Sequence, residues 1–123
     1  AFVSNCGGVP WRRDFLRELM QHIDVHSYGT CLRNRNLTDC PFTKEQVRKL
    51  SRSHPCSKRG TNNVIKMRTI AQYKFLFSFE NLVESHYVTE KPYDGLRMGV
   101  LPIYKGAPEA AEHVPRGSLL FAD

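Results

Sequence analysis

Three signatures that nucleotide-binding chains commonly carry are missing from this one. There is no Asp-x-Asp, no G-x-G-x-x-G and no G-x-x-x-x-G-K-[ST] anywhere in the 123 residues. Their absence excludes the usual carboxylate-held divalent metal on a pyrophosphate, the standard dinucleotide turn and the P-loop. No apolar run approaches the roughly 18 residues of a membrane-spanning helix. No internal repeat or low-complexity tract interrupts the chain, and there is no initiator Met and no signal-like stretch. Phe2-Val3 opens an apolar run at once, as though the chain were cut from something longer. None of the four cysteines lies in a C-x-x-C and the five histidines are scattered, so neither a structural zinc site nor any other metal or cofactor is expected. Acids are also scarce: 12 Asp+Glu against 18 Lys+Arg leave a net charge of +6. That balance suits a polyanionic partner, whether a nucleic acid, an anionic membrane or a phosphorylated small molecule.

What is present fits one domain, residues 1–123, of a length that buries a real core. Ala1–Asn5 reads as a short buried strand stopped by Gly7-Gly8. From Trp11 to Ile23, apolar Phe15, Leu16, Leu19, Met20 and Ile23 recur at helical spacing between Arg12, Arg13, Arg17 and Glu18. Val25–Tyr28 reads as a second strand. Residues from about 34 to 61 turn polar and basic and read as a surface insertion, with a capping box at Thr43–Gln46 opening a short helix to about Leu50. Val64–Gln72 predicts a helix, and Tyr73–Phe79 a strand buried on both faces. Thr89 is a good N-cap and Gly99 a good C′ residue for a helix over about Glu90–Met98. Val100–Tyr104 is the next strand, a short helix opens near Pro108 and ends before Pro115, and Ser118–Ala122 is a last strand. This alternation predicts an α/β fold, a Rossmann-like parallel sheet flanked by helices.

Ligands of such sheets bind where strand carboxyl ends feed helix N-termini. Two loops qualify: Ser4-Asn5-Cys6-Gly7-Gly8, leading to Arg12 and Arg13, and Phe79–Thr89, leading to Glu90 and Lys91. A lysine in a first helical turn runs against the dipole preference. A bound phosphate accounts for it, as does a plain solvated side chain. Glu90 suits the vicinal hydroxyls of a sugar. Glu80 and Glu84 are two common carboxylates that carry little weight as an acid/base pair. The basic run over 44–59 reads more readily as a solvated face than as a nucleic-acid footprint, and the alternating aromatics of 73–79 as a buried strand. Asn36-Leu37-Thr38 is an N-glycosylation sequon. With an even cysteine count it leans toward an oxidising lumen.

Several ordered blocks are more specific than any one of these. Tyr73-Lys-Phe, Phe79-Glu-Asn81, Tyr87-Val-Thr-Glu-Lys91, Gly99-Val-Leu-Pro-Ile and Gly106-Ala-Pro108, preceded by Val3-Ser-Asn5, Arg12 and Asp24-Val-x-x-Tyr-Gly29, resemble the α1,3/α1,4-fucosyltransferases. The resemblance covers about residues 1–33 and 64–123. The run Tyr28-Gly-x-Cys-Leu-x-Asn-Arg35 is similar to the branch of core and protein-linked-glycan fucosyltransferases. The resemblance implies the C-terminal, donor-binding half of a GT-B enzyme that transfers fucose from GDP-fucose to a glycan or glycoprotein acceptor, with inversion and no obligatory metal. Arg12 and Lys91 would meet the pyrophosphate, with Arg13 as the fallback, Glu90 the ribose, Tyr87 the nucleoside and Asn81 the donor sugar, with Ser4 and Asn5 nearby. The general base is expected on a preceding acceptor-binding domain, so no catalytic residue is expected here and the fragment alone should not turn over. A Golgi or ER lumenal location follows, with membrane anchoring only through a segment N-terminal to this chain. Leu82, His86 and Pro92 depart from the family pattern. Two other readings stay open: an inactive lumenal binding domain derived from such an enzyme, and a basic nucleic-acid-binding module. For the cysteines, Cys6–Cys31 with Cys40–Cys56 is a feasible pairing, because Cys6 and Cys31 follow strands expected to be neighbours.

Overall fold

The computed structural model describes residues 6, 9–35 and 61–122. The expected strand over Ala1–Asn5, the capping box at Thr43, the sequon at Asn36 and the cysteines Cys40 and Cys56 lie outside them. Helix α1 spans Pro10–His22, α2 spans Thr61–Ile70 and α3 spans Lys91–Arg97. Strands β1 (Phe75–Phe79), β2 (Leu101–Lys105) and β3 (Leu120–Phe121) form a parallel sheet in the order β1-β2-β3, with Phe75 opposite Leu101 and Ile103 opposite Leu120. A 3-10 helix over Pro108–His113 links β2 to β3.

Pro10 opens α1 where a missing N–H costs nothing, since the first helical N–H groups have no intrahelical acceptor. The apolar stripe of α1 then lies on one face of the sheet. Leu16 joins Val25, Cys31 and Phe79 in a buried cluster, flanked by Trp11, Phe15, Leu19, Phe77 and Ile103. The opposite face carries a second cluster, Ile70, Leu76 and Val100, with Met67 of α2 and Met98 packed on it. The period of two along a strand sorts these sides, sending Phe77 and Phe79 toward α1 while Leu76 and Ser78 face the other way. Gly95 of α3 sits against the second side, where a Cβ would meet Pro102 Cγ and the Val100 carbonyl at 3.1 Å. Close approach of helix to sheet therefore favours glycine at this position, since a Cβ would make its neighbours give by a few tenths of an ångström.

Three expectations are corrected. β1 is not buried on both faces throughout, since Phe75 is 45% exposed; the α1-side cluster reaches only Phe77 and Phe79. Val25–Tyr28 has a single bridge residue, Ser27, among the described residues. The reason is local: the Asn34 side chain accepts from Ser27 N–H at 2.8 Å and donates to the Val25 carbonyl at 2.8 Å, so the following loop takes the bonds a ladder would use. Thr89 does not cap α3. The N-cap is Glu90, with no side-chain cap bond, and the Thr89 hydroxyl is committed elsewhere. Gly99, at φ +69, does take the left-handed C′ position.

Candidate functional site

The carboxyl end of β1 gathers the polar residues. Arg12, in the first turn of α1, is 1% exposed. One of its terminal nitrogens donates to the carbonyls of Phe79 at 2.8 Å and Glu80 at 2.6 Å, and to Asn81 Oδ1 at 2.9 Å. Burial pushes the Arg12 guanidinium down from its usual pKa, while the charges of Glu80 and Tyr87 pull it back up. Glu80, the residue after β1, is fully buried. Its carboxylate accepts from Thr89 N–H at 2.8 Å, the Thr89 hydroxyl at 2.7 Å and the Lys91 ammonium at 2.9 Å. Lys91 Nζ also donates to Thr89 Oγ1 at 2.9 Å, and the Lys91 side chain keeps 18% exposure. Tyr104 completes the wall from β2. Its phenol is raised above the ordinary value by burial and by Glu80's charge.

Of the residues singled out from the sequence, the structure thus brings Arg12, Asn81 and Lys91 together at Glu80, with Glu90 next to Lys91 and Tyr87 near enough for its charge to act on Arg12. Arg12 reaches protein carbonyls, whereas Lys91 is partly open to solvent. Glu90 is exposed and lines a cleft with Lys66, Leu76, Ser78, Lys91 and Asp94 along one side of β1. Arg13 is exposed and turned elsewhere, lining grooves beside the Cys6–Cys31 disulfide with Arg17 and Arg33. Ser4 and Asn5 lie outside the described residues.

Sequence reasoning missed three residues here. Glu80 was weighed only as half of an acid/base pair with Glu84, which is exposed; the structure makes Glu80 the hub instead. Its signal was a charge set directly after an apolar strand. Lys66 and Asp94 form an ion pair between α2 and α3 at 2.5 Å, with the Asp94 side chain 6% exposed. They stand 28 positions apart, beyond any local pattern. Among the described residues, no group of three His, Cys, Asp or Glu side chains is arranged for a metal ion. His22 and His26 do stand four residues apart, but α1 ends between them. His22 pairs with Glu18, while His26 bonds Tyr73 at 2.7 Å and Asp24 at 3.2 Å.

The sequence model for glycosyltransferase family 10 (fucosyltransferase), C-terminal part, matches residues 1–123. This chain belongs to that family. It is 38% identical over 122 residues to the GDP-fucose protein O-fucosyltransferase 3 of Canis lupus familiaris, covering 98% of this chain and 23% of the relative. It is 35% identical over 124 residues to the Alpha-(1,3)-fucosyltransferase B of Drosophila melanogaster, covering 98% of this chain and 24% of that one. The chain therefore spans about a quarter of the length of these family members. Among solved structures it resembles an alpha1,3-fucosyltransferase crystallised with GDP-fucose, at a TM-score of 0.63 and 26% identity over 90% of this chain and 26% of the other. The same enzyme type with GDP gives a TM-score of 0.61 at 25% identity. The parallel sheet with flanking helices is thus the fucosyltransferase GT-B arrangement, as the sequence blocks implied. Among the described residues no helix is long and apolar enough to cross a membrane.

Proposed function

We propose that this chain holds GDP-fucose for inverting transfer of fucose to a glycan or glycoprotein acceptor in the secretory pathway, in the Golgi or ER lumen. The observation that carries the reading is the Lys91 ammonium, held at the carboxyl end of β1 and still partly exposed, beside the open carboxylate of Glu90. Lys91 meets the pyrophosphate and Glu90 the ribose hydroxyls. Tyr87 lies against the nucleoside and Asn81 near the fucose. Arg12 adds positive potential from behind its carbonyl partners, and anchors Asn81. Cations placed in advance stabilise the charge that develops on departing GDP, a task a resident metal performs in other glycosyltransferases. The reading assigns the acceptor's general base to a separate, acceptor-binding domain rather than to the residues around Glu80.

The names of the relatives favour a second reading of the acceptor. Protein O-fucosyltransferase 3 is named for a protein acceptor and Alpha-(1,3)-fucosyltransferase B for a linkage, so a protein hydroxyl stands beside the glycan hydroxyl as the target.

Calorimetric titration with GDP, ADP and UDP tests the donor reading. GDP binds selectively, and Lys91→Gln weakens it about tenfold, the scale of one charge-assisted bond to phosphate. Because Lys91→Gln leaves the buried Glu80 carboxylate without its cation, a thermal melt of the variant accompanies the titration. A folded chain that binds no nucleotide contradicts the donor reading.

A further inference from the structure

Glu80 is a carboxylate at zero exposure, and stability does not by itself account for it. An ion pair buried in a protein rarely gains over apolar side chains of the same volume. Its surroundings are nevertheless built to keep it. Oε1 takes the Thr89 N–H, and Oε2 takes the Thr89 hydroxyl and the Lys91 ammonium. Gly106 leaves the space: a Cβ there would overlap Glu80 Cγ and the Tyr104 ring. An ammonium has three protons. Glu80 Oε2 and Thr89 Oγ1, each at 2.9 Å, receive two of them. The four-carbon stem that normally lets a lysine wander is thereby tethered, and one N–H is left to point away from its anchors.

We infer that Glu80 is a positioning residue of the donor site, which aims Lys91 at the pyrophosphate through the Thr89 relay. This inference rests on the reading that Lys91 meets that group. Glu80 touches no substrate. It decides where the cation stands, and its charge keeps the ammonium from collapsing onto other carbonyls at the strand end. Arg12 grips the Phe79 and Glu80 carbonyls from the other side of the sheet, so the backbone carrying this carboxylate is itself fixed.

A double-mutant cycle on the full chain tests it, with GDP and guanosine as probes. Glu80→Gln removes the charge that holds the ammonium and leaves one oxygen to serve either the Lys91 and hydroxyl side or the Thr89 N–H, so Lys91 is held less firmly and GDP affinity falls about fivefold to tenfold while guanosine affinity stays within about twofold. In the Lys91→Gln background the same change alters GDP affinity less than about twofold, because no cation is left to aim. If Lys91→Gln alone leaves GDP binding intact, the donor-site reading falls and this inference with it. If Lys91→Gln weakens GDP and Glu80→Gln does not, only the positioning role is overturned. An equal loss in both backgrounds, or an equal loss for guanosine, overturns it in the same way, since general damage to the fold has that pattern. Thr89→Val is the milder probe should Glu80→Gln fail to fold. It cuts the relay at near-constant volume, and GDP affinity drops about threefold with guanosine unchanged; unchanged GDP affinity contradicts the relay.

Discussion

Arg12 and Asn81, 69 positions apart in the chain, share a hydrogen bond of 2.9 Å from guanidinium to side-chain amide oxygen. The bond joins the first turn of α1 to the loop after β1, so two segments far apart in the sequence define one wall. Arg12 also reaches the carbonyls of Phe79 and Glu80. A residue expected from its family blocks to touch the donor is thus equally a structural clamp on the strand end that presents the other candidates.

This dual role sets the cost of losing it. Arg12→Ala leaves buried acceptors without a donor, at about 1–3 kcal/mol each. We expect a loss of more than about 3 kcal/mol in urea unfolding. Arg12→Lys keeps the charge but not the fork, and should fall between alanine and the parent. If Arg12→Ala unfolds at the same urea midpoint as the parent, the clamp is not holding the strand end.

Gly106 gives a steric counterpart. A Cβ there would meet the Tyr104 hydroxyl and ring and Glu80 Cγ closer than real Cβ atoms come. Both neighbours are fully buried, so neither swings aside. Gly106→Ala should cost about 1–3 kcal/mol, the usual range for overpacking, and should weaken GDP binding by displacing Glu80 from Lys91. Thermal melts and GDP titration of the variant check both effects. Gly95→Ala is a useful comparison, because its Cβ contacts of 3.1 Å are less severe and lie nearer Pro102 and Val100.

How far these contacts could be read from the sequence depended on their range. The α1 stripe was legible because Phe15, Leu16 and Leu19 repeat at one helical period; Trp11–Ile23 was expected and Pro10–His22 is found. Gly99 was legible because few residues tolerate φ +69. The neighbourhoods of Lys91, Glu90 and Asn81 were legible only as family blocks, and their ligand roles are still read from those blocks. Thr89 misled, because a threonine before a helix is a good cap by any local rule. Its hydroxyl goes to Glu80 instead, nine residues back, since an otherwise under-bonded buried carboxylate outbids an exposed helix end. Lys66–Asp94 had no local signature, as neither residue repeats with anything near it.

The disulfide between Cys6 and Cys31 ties the segment before α1 to the loop beyond Ser27, and Cys31 is 1% exposed within the Leu16–Phe79 cluster. With 25 positions between them, the loop-closure relation puts its contribution at about 3.5 kcal/mol. Cys6→Ser with Cys31→Ser should lower stability by roughly that amount, with a further loss from placing a hydroxyl in an apolar cluster. Cys31→Ala paired with Cys6→Ser separates the two effects. Equal unfolding midpoints for the oxidised and reduced parent would falsify the assignment of stability to this bond.

Alkaline pH should expose the buried phenol of Tyr104. Its pKa is raised from 10.0, first by burial and then by the Glu80 charge. Its hydroxyl meets no partner at strict hydrogen-bond geometry, so the looser contacts with Glu80, which raises the pKa further, and with the Ala107 backbone, which lowers it, are weak ones. Tyr73 is raised as well, by burial and by its bond with Tyr28, but it is less enclosed and counts for less. Above pH 10 the unfolded chain gives up these protons while the folded chain keeps them, so the folded state binds more protons and stability falls as pH rises. Below pH 10 this contribution is fully present. Each such group steepens the fall by at most about 1.4 kcal/mol per pH unit. Tyr104→Phe should therefore leave stability at pH 7 within about 1 kcal/mol of the parent, since only weak contacts of the hydroxyl are lost, and should flatten the decline between pH 10 and 11. Urea midpoints from pH 8 to 11 give the comparison. Parallel curves for parent and variant would mean that Tyr104 ionises in the folded state as freely as in water, and that the wall around Glu80 admits solvent.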